Sequence, residues 1–105
     1  MENKPICEID IFGSKRWYLN GKLYREDGPA VEIYNGTKHW WINGQLHRLD
    51  GPAIIWNNGL KEWWINGHHV TDIITKWAKE NGIDIDNLTD VDKALNKLSW
   101  ADYGK

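Results

Sequence analysis

The sequence predicts an α+β fold: an antiparallel β-meander of three 23-residue repeats in a single curved sheet, capped by two C-terminal α-helices. Three observations carry this expectation. A tryptophan-rich pentapeptide recurs at a fixed step. Within the repeats, glycine recurs every seven or eight residues. Repetition stops near His69, and a helical spacing of apolar residues begins. The expected organisation is a single domain over 1–105, with the repeat sheet at 8–69 and a helical C-terminal cap at 70–105.

The repeat is read directly. Trp17-Tyr18-Leu19-Asn20-Gly21 returns as Trp40-Trp41-Ile42-Asn43-Gly44 and as Trp63-Trp64-Ile65-Asn66-Gly67, 23 residues apart each time. Asp27-Gly28-Pro29-Ala30 returns as Asp50-Gly51-Pro52-Ala53, and Lys15, Lys38 and Lys61 keep the same step. The units are 8–30, 31–53 and an incomplete 54–70. In the first, Phe12-Gly13 stands where Asn35-Gly36 and Asn58-Gly59 stand in the others. Of the eight repeat glycines, five follow Asn and two follow Asp, so each is expected to supply the positive φ of a tight reversal. The segments between are rich in Trp, Ile, Tyr and Val, which suit strands. A helix before residue 70 is disfavoured, because each internal glycine costs about 1 kcal/mol relative to alanine.

Two adjacent tryptophans on a strand point to opposite faces. Trp17, Trp40 and Trp63 fall with Leu19, Ile42 and Ile65, and this ladder is expected to be core. Tyr18, Trp41 and Trp64 fall with Arg16, His39, Glu62 and the turn asparagines, and this ladder is expected to be half-exposed. The second ladder, with Arg16, His39 and Glu62, is the candidate partner-binding surface, because aromatics among polar groups are frequent binding anchors. The competing reading is that the rings pack on one another and on Arg and Lys stems. Arg25 and Arg48 are secondary candidates. Beside Asp27 and Asp50 they are expected to tie down the Asp-Gly-Pro loops; the minority reading is that two equivalent guanidinium groups grip a carboxylate or phosphate.

In the tail, Thr71-Asp72 reads as a helix start, and Val70, Ile73, Ile74, Trp77 and Ala78 form its apolar stripe. Asn81-Gly82 ends it with a left-handed cap. Residues 83–88 form a link. Thr89 is expected to begin a second helix, with Val91, Ala94, Leu95 and Leu98 on its apolar face and Trp100, Tyr103 and Gly104 near its end. The helices are expected to pack on the Trp40 face and cover the end of the array. The other end has no such cover, so its open edge can pair with another chain, and homodimerisation is an expectation.

The pattern resembles the MORN repeat (membrane occupation and recognition nexus), whose period is also near 23. Asn20-Gly21-Lys22-Leu23-Tyr24 and Asn43-Gly44-Gln45-Leu46-His47 resemble its Asn-Gly-Lys-x-His step. Asn35-Gly36-Thr37 and Asn58-Gly59-Leu60 resemble its second turn. The usual His-Gly-x-Gly step is replaced by Tyr24-Arg25 and His47-Arg48 followed by Asp-Gly-Pro-Ala. That version is similar to MORN-variant repeats in small proteins of tailed bacteriophages, with related variants in bacterial antitoxin-like proteins, and the tail resembles the ends of those phage proteins.

Composition narrows the function. Eight tryptophans in 105 residues stand beside one Phe and one Met. A formal charge of −2 with no basic run argues against general nucleic-acid binding. The one cysteine, Cys7, excludes an internal disulfide and a thiolate zinc cluster. No apolar run approaches the roughly 20 residues of a membrane helix, and residues 1–10 lack the apolar stretch of a signal peptide. The expected location is therefore the cytoplasm, that of the host if the chain is phage-encoded. His68-His69 has no ligand partner at zinc spacing. Ser14 and Ser99 lie in no nucleophile elbow. Asp84, Asp86, Asp90 and Asp92 lack the glycine and final Glu of a calcium loop. No glycine-rich phosphate loop opens a helix. The expectation is a non-catalytic binding module without cofactor or metal. What the resemblance implies is a phage accessory protein that binds and inhibits a host protein, in an anti-defence or antitoxin-like role. The alternatives are a glycan or nucleotide binder using the Trp/Tyr ladder and a virion component. Membrane association rests on the repeat's name alone, and an acidic chain gains little from anionic lipid.

Overall fold

The computed structural model describes residues 4–96. Leu98, Trp100, Tyr103 and Gly104, assigned above to the end of the second helix, lie outside the described residues. Eleven short strands are followed by two helices: β1 (Ile6–Ile9), β2 (Lys15–Leu19), β3 (Lys22–Leu23), β4 (Val31–Glu32), β5 (Lys38–His39), β6 (Trp41–Ile42), β7 (Gln45–Leu46), β8 (Ile54–Ile55), β9 (Lys61–Glu62), β10 (Trp64–Ile65), β11 (His68–His69), α1 (Thr71–Glu80) and α2 (Val91–Asn96). Every strand pairing is antiparallel.

The strands do not form one curved sheet. A seven-stranded sheet runs β1-β2-β4-β5-β8-β9, with β3 also on β2; β6-β7 and β10-β11 are separate two-stranded sheets. The division falls at Trp40 and Trp63. At each, the chain leaves the large sheet and enters a small hairpin. Trp40 N–H donates to Ala53 O at 2.7 Å, whereas Trp40 O accepts from His47 N at 3.1 Å. One residue thus bonds both to the end of its own unit, just before β8, and to its own hairpin. In the first unit β2 makes the same exchange without interruption, through Trp17 N to Ala30 O and Tyr24 N to Trp17 O. The small hairpins are joined in series by Gly44 N–Leu23 O and Gly67 N–Leu46 O, both 2.9 Å.

Two turn types alternate. Asn20-Gly21, Asn43-Gly44 and Asn66-Gly67 have both residues at positive φ, as the mirror-image hairpin turn requires. At Gly13, Gly36 and Gly59 only the glycine is left-handed, closing a longer turn with a bulge. In the first of these the Asp10 carboxylate accepts from Phe12 N and Ser14 N, which explains how Phe12-Gly13 turns without the usual asparagine. Gly28 and Gly51 correct the expectation. Neither is at positive φ, and neither serves as a left-handed reversal.

The core is concentrated at the C-terminal end. Trp63, Ile65, Val70, Ile74, Val91, Ala94 and Leu95 form one buried cluster, flanked by Ile73, Trp77, Ile85 and Leu88. α1 ends in a Schellman arrangement: Ile83 N bonds Ala78 O at 2.8 Å, Gly82 N bonds Lys79 O, and Gly82 has φ +65°. A 3-10 turn, Ile85–Asn87, occupies the link. The second helix begins at Val91 rather than Thr89, because the Asp90 carboxylate accepts from Lys93 N at 2.9 Å and makes Asp90 the cap. Val91 N donates to Leu49 O at 2.8 Å, anchoring α2 to the second repeat.

Candidate functional site

Residues directly opposite on antiparallel strands project to the same side. The pairings Arg16–Val31, Val31–His39, His39–Ile54 and Ile54–Glu62 therefore place Arg16, His39 and Glu62 on one face. Tyr18 lies between Ile6 and Leu23, Trp41 opposite Leu46, and Trp64 opposite His69. Tyr18 shares this face with Arg16 on β2, Trp64 is tied to it through Glu62, and Trp41 stands in the separate β6–β7 hairpin; all six sequence-selected residues are half-buried. Two aliphatic residues that sequence reading did not select, Val31 and Ile54, sit among them, each only 5% exposed. Neither belongs to the helix-covered cluster.

The C-terminal part of this face is tied together internally. The Glu62 carboxylate accepts from Trp56 Nε1 at 2.7 Å and Trp64 Nε1 at 3.1 Å, and His69 Nε2 lies 3.6 Å away. The His69 ring stacks on Trp64 with centroids 4.6 Å apart, and Trp56 meets His39 edge-on at 5.7 Å. Trp56 was missed by the sequence reading. Its repeat equivalents are Asp10 and Ile33, so no aromatic ladder marks the position. His39 Nε2 and Trp41 Nε1 are buried without a protein partner. Burial pushes the His39 imidazole below its ordinary value; the Glu62 charge opposes this and Arg16 reinforces it.

The opposite ladder is not uniformly core. Trp63 is buried at 3% exposure, whereas Trp17 and Trp40 are only half-buried. Arginines cover those two rings. Arg25 Cζ sits 3.8 Å above the Trp17 ring and Arg48 Cζ 3.9 Å above Trp40. Each guanidinium is clamped in the same way: Arg25 Nε donates to Asp27 at 3.0 Å and Nη1 to Pro29 O at 3.1 Å, and Arg48 Nε donates to Asp50 at 2.8 Å and Nη1 to Pro52 O at 3.0 Å. Gly28 and Gly51 close the other side. A Cβ added at Gly28 would lie 3.1 Å from Arg25 Cζ, and one at Gly51 would lie 2.9 Å from Arg48 Cζ. Arg25 and Arg48 thus have a structural task, as the repeat pairs of Arg and Asp suggested.

A cleft of about 730 Å³ opens between these two clamps, on the Trp40 side rather than beside the Tyr18/Trp41/Trp64 ladder. Arg25, Asp27, Trp40, His47, Arg48 and Leu49 are among its walls. His47 is half-buried there, and its Nδ1 accepts from Asn66 N at 3.0 Å. Burial holds its imidazole below the ordinary value, with Asp92 opposing. His68 and His69 are exposed on β11, and Cys7 is exposed on β1. No helix among the described residues is long and apolar enough to cross a membrane.

No family model, no curated protein and no solved structure matches this chain.

Proposed function

We propose that this chain is a non-catalytic protein-binding module that docks through the Tyr18/Trp41/Trp64 face, with Arg16, His39 and Glu62 as polar anchors. One observation carries the reading. Ile6, Tyr18, Leu23, Trp41, Leu46 and Trp64 follow one another across serially bonded hairpins, and none is fully buried. Rigid aromatic groups on a preformed sheet lose little conformational freedom on binding, so their buried area converts efficiently into affinity. The network around Glu62 supports this by holding Trp64 and Trp56 in fixed orientations before a partner arrives. The 23-residue period of the hydrogen bonding supports the MORN-like reading of the repeats. That resemblance in turn favours a phage accessory protein whose partner is a host protein.

A pull-down from bacterial lysate tests the face. Wild type and Arg48→Ala, which alters the opposite side, are expected to retain one discrete protein in stoichiometric amount. Trp41→Ala with Trp64→Ala is expected to lose it while keeping a native circular dichroism spectrum. Equal capture by all three would refute the assignment.

The cleft supports a second reading, a small-ligand site away from the ladder. An indole floor with charged walls suits a glycan or a nucleotide base. Thermal-shift screening with Trp40→Leu as control separates the two, since only cleft binding depends on that ring.

A further inference from the structure

We propose that β1 is a self-pairing edge through which two copies of this chain join into one continuous sheet. The hydrogen-bond phase of β1 identifies which groups face outward. Asp10 N donates to Ser14 O at 3.0 Å, so Asp10–Ser14 is a hydrogen-bonded pair of the β1–β2 ribbon. Such pairs alternate along an antiparallel ladder, so Glu8–Arg16 and Ile6–Tyr18 are also bonded pairs. The backbone groups of Cys7 and Ile9 therefore point away from β2. Trp17 N, bonded to Ala30 O on the far side of β2, has the matching phase. β1 ends the large sheet, and all four of its residues are exposed, with Ile6 at 69% and Ile9 at 63%. Among the described residues no strand pairs with this edge, and an open edge bearing apolar side chains is a pairing template.

The register follows from those groups and from charge. A two-fold axis at Cys7 pairs each Cys7 N–H with the other copy's Cys7 C=O. Each Ile9 N–H then meets the other copy's Pro5 C=O, giving four backbone bonds. Pro5 contributes its carbonyl and needs no donor. Lys4 falls opposite the second copy's Asp10, twice per dimer, and Glu8 falls opposite Ile6. Moving two residues along, to pair Cys7 with Ile9, would set Glu8 against its own copy, which is unfavourable. Charge and hydrogen bonding thus select the same arrangement, and a second copy of this chain is the occupant that satisfies both. The axis stands perpendicular to the sheet, so both copies present the Tyr18 face on the same side.

Analytical ultracentrifugation in reducing buffer, from about 5 to about 500 µM, tests this. Wild type and Cys7→Ala are expected to pass from monomer to dimer over that range. Cys7→Pro removes an N–H that makes no bond to β2, at an edge position where proline is tolerated, and is expected to stay monomeric with an unchanged circular dichroism spectrum. Lys4→Glu, at an exposed position, is expected to weaken association at least tenfold. Trp41→Ala with Trp64→Ala is expected to leave association unchanged, so failure of this proposal is distinct from failure of the docking face. A wild type that remains monomeric throughout, or a folded Cys7→Pro or a Lys4→Glu that associates like wild type, would overturn it.

Discussion

Gly51 is required by an arginine three residues before it. Its backbone is not left-handed, so alanine would fit the chain conformation but not the space beside Arg48. That guanidinium cannot easily give way, because Trp40, Asp50 and Pro52 O hold it on its other sides. Gly51→Ala is expected to destabilise the fold by about 1–3 kcal/mol, read from the urea midpoint. In an Arg48→Ala background the same change is expected to have little effect, and a double-mutant cycle measures the coupling. Protonation acts at this scale too. Burial lowers the His39 and His47 values beneath the unperturbed 6.5. As pH falls below about 6.5, the unfolded chain takes up protons that the folded chain refuses, so stability declines. Above that range the contribution is fully present. Urea midpoints are expected to be lower at about pH 5.5 than at about pH 8, and His39→Gln with His47→Gln is expected to flatten the difference.

The longer turns are linked by hydroxyl groups. Ser14 Oγ accepts from Tyr34 N at 2.8 Å, and 23 residues later Thr37 Oγ1 accepts from Asn57 N at 3.1 Å. Both residues are only 2% exposed. Each hydroxyl satisfies the backbone of the next unit's turn, so the repeat period is also a hydrogen-bond period. Leu60 stands next in that series and is 65% exposed; the position 23 residues beyond Asn57 is Glu80, at the end of α1 rather than in a turn. Thr37→Val is expected to cost about 1–2 kcal/mol. Amide exchange should quicken at Asn57 and remain unchanged at Tyr34, whose acceptor is Ser14.

Across the whole molecule, the repeats end by substitution. The step of 23 from Arg25 and Arg48 reaches Thr71, and the step from Gly28 and Gly51 reaches Ile74. Where the first two units cover a tryptophan with an arginine clamp, the third covers Trp63 with a helix. Thr71 Oγ1 accepts from Trp63 N at 2.9 Å, and Ile74 is fully buried in the same cluster as Trp63. Ile74→Ala is expected to lose about 2–5 kcal/mol in urea unfolding, whereas Ile11→Ala, at 93% exposure, should change it by less than about 0.5 kcal/mol. Hydrogen exchange should run slowest through α1 and fastest along β1, because the buried side chains gather at the C-terminal end of a molecule 44 Å long.

The sequence by itself determined the period, the strand-and-turn alternation, the helical tail and the common face of Arg16, His39 and Glu62. These follow from local rules: Asn-Gly stabilises positive φ, and side chains alternate along a strand. Tertiary structure decided the rest. It divided the sheet at Trp40 and Trp63, because each bonds through its O to its own small hairpin and through its N–H to a different segment, Ala53 for Trp40 and the Thr71 side chain for Trp63. It left Trp17 and Trp40 half-buried and sealed Trp63, because identical ladder positions receive different cover. It also gave Gly28 and Gly51 their reason, and added Trp56 to the face through Glu62. Residue spacing specifies direction along a strand, but burial and close approach depend on which distant segment arrives from above.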